Sequence, residues 1–381
     1  MRSIYFDYNS TTPLDAQVRE AMLPFLGETF GNPSSVHHVG RRARVALDEA
    51  RERVARVWGC KPSEVLFTSG GTESNNLAIF GAARARRERG RHLITSRVEH
   101  HSVLQCFEEL AAHEGFEVTW LPVDSQGRVD PGDLQRALRD DTILVSIMAA
   151  NNEVGTLQPV AELGALCRAK GVVFHTDAAQ WFGKEPFTSI HDFHADLVSC
   201  CAHKFHGPRG SGALFVRSGL RLRPILVGGG QEQERRAGTE NLAAIVGFAE
   251  AVERFLTPPV FARQQLDPLC RQIADLSRSL PGVTVHSDLD HGLANTVALS
   301  VHGADSLSVL AALDLEGVCA SGGSACSTGS LEPSHVLLAM GGTREAASSL
   351  VRFSLGRDST QAEVDHLKSI LPRVVEQVCE Q

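Results

Sequence analysis

No run of this sequence approaches the roughly 20 consecutive apolar residues that a membrane-spanning helix requires. The opening residues, Met1-Arg-Ser-Ile-Tyr-Phe-Asp7, hold no apolar stretch of signal-peptide length, so the chain is expected to be cytoplasmic. Positive charge is in short supply as well. The formal charge of −8 argues against non-specific binding to nucleic acid or to an anionic membrane. The one basic cluster (Arg84, Arg86, Arg87, Arg89 and Arg91) alternates with Ala and Glu and reads as a solvated helix end. Paired cysteines are missing: the nine cysteines, an odd number, include no C-x-x-C. That excludes a zinc ribbon or a disulfide framework and points to free thiols in a reducing compartment. Cys201, His203 and His206 are ligand types close in sequence, and His100 adjoins His101. Without H-E-x-x-H or a cysteine pair, no metal site is expected. There is no internal repeat and no low-complexity tract.

What is present is alternation. The 381 residues suffice for two domains and a sizeable core. Apolar spacing predicts a helix over Arg41–Val57, with Ala43, Leu47, Ala50, Val54 and Val57 on one face. Short apolar runs at His92–Thr95, Val118–Leu121, Ile143–Met148, Val172–His175, Leu197–Cys201 and Ala213–Val216 read as strands. Helical stretches such as Ser74–Arg89 and Val160–Lys170 separate most of them, which implies an α/β fold with a mainly parallel sheet between helices. A helix over Glu240–Phe255 ends at Thr257-Pro258-Pro259, the expected domain junction. The first large domain is placed at residues 14–257. Residues 1–13 and 258–381 make a smaller α+β domain, with helices at Phe261–Leu280, Leu307–Leu315 and Gln361–Val378 and strands at Val283–His286, Asn295–Val301 and Leu350–Leu355.

Lys204 lies between two of these apolar runs, in Ala202-His-Lys-Phe-His-Gly-Pro-Arg-Gly-Ser-Gly212. It could be a surface lysine in a Gly/Pro turn, but the tight loop that the glycines and Pro208 form after it favours a buried one, and an ammonium there is costly to desolvate. Desolvation lowers a lysine from its free pKa of about 10.4 and releases a nucleophilic amine suited to Schiff-base chemistry. Thr68-Ser-Gly-Gly-Thr-Glu-Ser-Asn-Asn76 opens onto a helix and offers small hydroxyls and N–H groups to a phosphate, or merely caps that helix. Asp177 follows a strand and could hold a ring nitrogen protonated, or could cap the next helix. His100 could stack on a flat ligand or could cap a helix, and Asn152 could orient a ligand oxygen or lie in an ordinary loop. Each signal is weak alone. Together, in one α/β domain, they describe pyridoxal 5′-phosphate. Cys326 adds a thiol in a tract of small residues, Ala320–Ser330, that cannot build a core; a cysteine so placed can be exposed, deprotonated and moved, a reading favoured over a Gly/Ser turn with a passive cysteine because buried cysteines usually sit on apolar strands.

These residues carry a resemblance to the NifS/IscS-type, group I cysteine desulfurases, members of the fold-type I pyridoxal-phosphate (class V aminotransferase) superfamily. It spans nearly the whole chain: Tyr5-Phe-Asp-Tyr-Asn-Ser-Thr-Thr-Pro13, Phe30-Gly-Asn-Pro-Ser-Ser-Val-His37, Gly71–Asn76, Glu99-His100, Asn152-Glu153 and Asp177-Ala-Ala-Gln180. It continues through His203-Lys204, Arg236-Ala-Gly-Thr239-Glu-Asn241, Ser324-Ala-Cys326 and Arg352-Phe-Ser-Leu-Gly-Arg357. The Leu331–Leu337 stretch also looks like group I, and the R-x-G-x-H-C pattern of group II is absent. The resemblance implies a large domain built on a seven-stranded, mainly parallel sheet and a small domain carrying a catalytic loop at about residues 320–332. It implies that Lys204 holds the cofactor, that Asp177 pairs with its ring nitrogen, and that His100 stacks on the ring. Asn152 and Gln180 would contact the phenolic oxygen. Gly71, Thr72 and His203 would bind the phosphate together with the residue at 201, joined by Thr239 of a neighbouring subunit in a homodimer. Arg352, with Asn152, would bind the substrate carboxylate. L-Cysteine would become L-alanine, its sulfur held as a persulfide on Cys326. A protein acceptor, such as an iron–sulfur scaffold or a tRNA-thiolation protein, would receive it.

Three positions depart from the family pattern: Cys201 replaces a serine, Trp181 a small residue and Leu350 a serine. A thiol is a weaker donor than a hydroxyl, so cofactor retention is expected to be modestly weaker. The alternative activities are a selenocysteine lyase or another class V aminotransferase-like enzyme, and, from a different class, a catalytically silent relative that serves as a binding partner. Cys326 disfavours a plain aminotransferase, which has no use for a thiol nucleophile, and the intact Lys204, Asp177 and Cys326 disfavour the silent relative.

Overall fold

The computed structural model describes residues 3–323 and 332–379. A short strand, β1 (Ile4–Tyr5), precedes the central sheet, whose members in chain order are β2 (Val65–Thr68), β3 (His92–Ser96), β4 (Glu117–Leu121), β5 (Thr142–Ser146), β6 (Val173–Asp177), β7 (Leu197–Cys201) and β8 (Gly212–Val216). Their spatial order is β2-β8-β7-β6-β5-β3-β4. Only β8 runs against the rest, pairing antiparallel with β2 and with β7, while the other pairs are parallel. Strands β5 to β8 are buried at every residue, which explains why they read as continuous apolar runs instead of alternating ones.

Most expected elements lie where the periodicity put them, with shifted ends. The helix expected over Ser74–Arg89 spans Gly71–Arg86, and the strand expected over Val172–His175 runs on to Asp177 itself. Four-residue β2 was not legible, because its apolar run is short and merges into the turn that follows. Helices Ala16–Leu26, which contains Pro24, and His101–Glu114 were also missed.

Both faces of the sheet are covered. The His38–Trp58 helix buries Ala43, Leu47, Ala50, Val54 and Trp58 against a core that includes Phe174 and Phe248. Fully burying Leu47 or Val54 contributes about 1.5–3 kcal/mol each. That helix stops at Gly59, whose φ of 68° closes a left-handed cap on Ala55 O and Arg56 O. On the opposite face, Leu77 and Ile79 of the Gly71–Arg86 helix meet Phe107 and Leu110 of the His101–Glu114 helix. A second sheet, with β9 (Val283–Val285), β10 (Thr296–Val301) and β12 (Leu350–Ser354) in the order β12-β10-β9, packs on helices Arg263–Ser279 and Gln361–Cys379. β1 pairs parallel with β11 (Val318–Cys319), and residues 6–9 continue along β12, where Asn9 N–H donates to Ser354 Oγ at 2.9 Å. Among the described residues, no helix is long and apolar enough to cross a membrane.

One buried ion pair ties the segment after residue 228 to this framework. Arg51 grips Glu232 through two contacts, Nη1–Oε2 at 2.8 Å and Nη2–Oε1 at 2.6 Å. Nη1 also reaches Val65 O at 2.7 Å, and Phe67 N–H donates to Glu232 Oε2 at 2.9 Å. Glu232, Gln233 and Glu234 all hold left-handed backbone, with φ of 47°, 61° and 64°. Three consecutive residues in that region are unfavourable by themselves, so the ion pair is what keeps the turn in place. Replacing one partner leaves the other charge buried and unpaired. Arg51→Met is therefore expected to destabilise the protein by about 3–5 kcal/mol, read as a lower urea midpoint with an unchanged slope; a midpoint equal to wild type would refute it.

Candidate active site

The cavity forms where the carboxyl ends of the parallel strands meet residues 9–10 and β12. After β2 the chain turns through Ser69 and Gly70 into the Gly71–Arg86 helix. The turn is shaped by Thr68 Oγ1 against Ser74 Oγ at 2.8 Å and by Ser69 N–H donating to Glu73 Oε2 at 2.8 Å. Arg236 holds Glu73 from the other side at 2.8 Å. A Cβ on Gly212 would lie 2.6 Å from Cys200 O and 2.8 Å from Gly70 Cα, so only glycine lets this turn lie against the start of β8. The exposed N–H groups of a helix start, with the Thr72 hydroxyl, make an anion site. Gly71, Thr72 and His203 line the cavity here. The Cys201 thiol, at the end of β7, is raised to about 11 by burial and takes a hydrogen bond from the Gly71 backbone.

Asp177 ends β6, 6% exposed. Its Oδ1 accepts Ala179 N–H at 2.9 Å and its Oδ2 accepts Asn75 Nδ2 at 2.7 Å. Asn75 Nδ2 also donates to Ser102 Oγ at 2.9 Å, and Ser102 Oγ lies 2.8 Å from His100 Nδ1. His100 caps the His101–Glu114 helix: its Nδ1 accepts Ser102 N–H at 3.1 Å. A nitrogen that accepts a main-chain N–H must carry a lone pair, so the neutral ring bears its proton on Nε2. Burial lowers the His100 pKa, with Asp177 opposing, and so favours that neutral form. Its neighbour Glu99 is fully buried and raised to about 8, accepting Ser96 Oγ–H at 2.6 Å and Met148 N–H at 3.0 Å.

Lys204 sits on the single turn Ala202–Lys204 that leaves β7. Its Nζ donates to Asn9 O at 2.6 Å and Ser10 O at 2.8 Å. Gln180 Nε2 donates to the same Asn9 carbonyl at 2.9 Å. Arg352, 1% exposed on β12, sends Nη1 to Asn152 O at 2.7 Å and Gly323 O at 3.1 Å. Its Nη2 meets Asp7 Oδ1 and Ser10 Oγ, both at 2.8 Å. Its Nε is buried with no partner among the described residues.

The cavity these groups enclose measures about 180 Å³. Every residue chosen from the sequence lines it except two: Lys204, Asp177, Gln180, Asn152, His100, Gly71, Thr72, Cys201, His203 and Arg352 converge there. Thr239 is exposed and away from this cavity, and Cys326 lies outside the described residues. Trp181 packs edge-on against Phe193 at 5.5 Å and Leu350 is buried; neither lines the cavity. Sequence reasoning did not single out Asn9, Ser10, Asn75 or Ser102, which also line it. Asn9 and Ser10 stand inside the Tyr5–Pro13 motif and Asn75 inside the 68–76 turn, so the motifs were seen and the individual roles were not. The residues fit pyridoxal 5′-phosphate: an anion-binding helix start and His203 at one side, a carboxylate for a ring nitrogen, a flat ring, and an amine for an aldehyde. Asn75 Oδ1, buried without a partner among the described residues, adds an acceptor that a ligand could use. Among the described residues no group of three or more His, Cys, Asp or Glu could hold a metal ion.

The class-V aminotransferase family model matches residues 4–367. Over 378 residues the chain is 46% identical to the cysteine desulfurase IscS of Dictyoglomus turgidum, covering 99% of this chain and 95% of that protein. A solved NifS-like protein superposes with a TM-score of 0.91 at 37% identity, covering 98% of this chain and all of that one (100%). SspA in complex with cysteine superposes with a TM-score of 0.83, also at 37% identity, covering 94% and 100%.

Two buried histidines outside the cavity lining give stability a definite pH dependence. His175, between Ser146 Oγ at 2.7 Å and Ser199 Oγ at 3.0 Å, and His206 are both lowered by burial from 6.5 to about 4. In the unfolded chain they bind protons below pH 6.5 that the fold refuses until about pH 4. Their contribution is therefore complete above pH 6.5 and is lost as the pH falls toward 4, by a few kcal/mol in total. Urea midpoints measured across that window should fall steeply in wild type and less steeply in His175→Gln. Parallel curves for the two proteins would contradict the assignment.

Proposed function

The chain belongs to the class-V aminotransferase family and, within it, to the NifS/IscS-type cysteine desulfurases that use pyridoxal 5′-phosphate; from that premise we propose how its own residues divide the work. The observation that carries the proposal is one cavity shared by the Lys204 amine, the Asp177 carboxylate, the Gly71–Thr72 helix start and the Arg352 guanidinium. Gly71, Thr72, Cys201 and His203 hold the phosphate, and Thr239 of a neighbouring subunit completes that site in a homodimer. Asp177, fixed by Ala179 and Asn75, keeps the ring nitrogen protonated. His100 would face the ring, and Asn152 and Gln180 would serve the phenolic oxygen. When bound, the cofactor supplies an electron sink for the pair left at the substrate Cα.

Arg352 binds the substrate carboxylate. Asp7 and Ser10 fix the plane of its guanidinium in advance, and the unpartnered Nε is the donor left for an incoming oxygen. Lys204 Nζ takes the Cα proton, a role that requires the neutral amine. His100, with Nδ1 committed to Ser102 N–H, presents an N–H at Nε2. That donor would favour a thiolate brought against it without itself taking the thiol's proton. Cys326 Sγ then attacks the substrate sulfur. The S–S bond forms, the C–S bond breaks with its electron pair left on Cβ, and protonation of Cβ together with return of a proton from Lys204 Nζ to Cα gives L-alanine. The persulfide on Cys326 passes to a protein acceptor, either an iron–sulfur scaffold or a tRNA-thiolation protein. SspA, the structural relative solved with cysteine, supports that substrate class.

L-Cysteine turnover with mass analysis of the tryptic peptide holding Cys326 tests this directly. One added sulfur on that peptide is expected in wild type, and Cys326→Ser should lose alanine and sulfide formation by about 10²-fold or more. A serine variant turning over at the wild-type rate would sink the mechanism. Arg352→Lys should raise KM for cysteine by about 10–100-fold with a smaller effect on kcat. Cys201→Ser, which restores a stronger donor, should retain the cofactor a few-fold more tightly in equilibrium dialysis. No gain in retention would refute a cost at that position.

A further inference from the structure

Lys184 stands one turn beyond Gln180 and 4% exposed. The preceding Gly183 has φ +77°, and a Cβ there would lie 2.6 Å from Phe205 Cβ. The chain can turn here only as glycine, and the turn carries Lys184 into the interior. Its Nζ donates to Asn9 Oδ1 at 2.6 Å and to Gln180 Oε1, and lies 5.4 Å from the centre of the Phe261 ring. No carboxylate forms an ion pair with it among the described residues. Burial, with Lys204 and Arg352 adding to it and Glu185 opposing, pushes its pKa well below the ordinary 10.5. An unpaired amine this deep is costly, and nothing in the reaction just described uses it.

What it does is settle the orientation of two amides. An amide's oxygen and nitrogen have nearly the same shape, and only their hydrogen-bond partners tell them apart. Lys184 supplies N–H donors to both oxygens, and in either protonation state it has at least two N–H bonds for these two acceptors. Gln180 therefore turns Oε1 toward Lys184 and Nε2 away from it. Nε2 spends one hydrogen on Asn9 O at 2.9 Å, which leaves a second N–H on a residue that lines the cavity. Asn9 likewise turns Oδ1 to Lys184, with Asn295 Nδ2 also donating to it at 3.1 Å, and sends Nδ2 to Thr296 Oγ1 at 2.9 Å and Asn152 O at 3.3 Å. The Asn9 main-chain carbonyl thus stays fixed for Lys204 Nζ at 2.6 Å.

We propose that Lys184 is a positioning residue of this desulfurase, fixing the Gln180 amide so that the cavity is offered an N–H donor instead of a carbonyl oxygen. The proposal rests on the reading that Gln180 serves the cofactor's phenolic oxygen. A flipped Gln180 would set one lone-pair-bearing oxygen against another. Loss of that donor destabilises the phenolate and makes the Lys204–cofactor chromophore harder to deprotonate.

The pH midpoint of the visible absorbance of the pyridoxal-phosphate-loaded enzyme reads this without any turnover. Lys184→Met should raise the midpoint by about one unit and weaken affinity for the free cofactor by about tenfold. Gln180→Leu should raise the midpoint by a similar amount, and adding Lys184→Met to it should shift the midpoint no further, since Lys184 acts through that amide. A Lys184→Met midpoint equal to wild type would overturn the proposal. So would an equal additional shift in the Gln180→Leu background, which would mean the charge acts directly. Should Lys184→Met not fold, Lys184→Arg keeps a donor in place and should stay close to the wild-type midpoint; an Arg variant displaced as far as Gln180→Leu would overturn the proposal. Absence of any Lys204-dependent chromophore in the wild-type protein would instead overturn the cofactor reading.

Discussion

The main-chain carbonyl of Asn9 is the contact on which the site is assembled. It accepts from Lys204 Nζ and from Gln180 Nε2, side chains that leave the ends of two different strands of the large sheet. The same residue is bound to β10 through Thr296 and to β12 through Ser354. A peptide oxygen has two lone pairs, and here both are directed by amine and amide donors in a buried setting, where each bond is stronger than in water. The extended segment that ends at Asn9 thus acts as a third wall, closing a cavity that the strand ends alone would leave open.

Burial of charge is the recurring cost of this arrangement. Glu232 is answered by a two-contact Arg51, and Arg352 by Asp7. Glu99 is raised to about 8 and so is held largely protonated near neutrality. Burial, with Lys204 adding to it, lowers the pKa of Lys184 and favours its neutral amine. A sheet end built this way is less stable than an apolar one would be, but each polar group is held in one orientation. Reaction geometry needs that orientation more than it needs the lost stability.

The sequence was most informative where chemistry and periodicity coincide. Continuous apolar runs revealed the buried strands, and Lys204, Asp177, His100 and the 68–76 turn stood at their ends, where an α/β sheet places its ligands. Legibility ended at second partners. Nothing in the letters around Asn75 says that its amide joins Asp177 to Ser102, because that contact spans more than 100 residues, with a separation of 102 between Asn75 and Asp177. Nor does the sequence say that His100 Nδ1 is committed to the backbone, which fixes which nitrogen bears the proton. β2 is not legible because four residues carry too little periodicity, although its far end leads into the turn that lines the cavity. Trp181 and Leu350 read as departures near the site and lie outside the cavity lining.

Arg352 holds Gly323 O and Asp7 at the same time as it lines the cavity. Any carboxylate that occupies the guanidinium therefore competes with, or reinforces, the seating of both those neighbours. Thermodynamic reciprocity makes this run in both directions: whatever steadies Gly323 or Asp7 would change the affinity for such a carboxylate by the same factor that the carboxylate changes their seating. If the substrate carboxylate binds there, as proposed, one arginine would make its occupancy and the anchoring of two distant chain segments a single equilibrium.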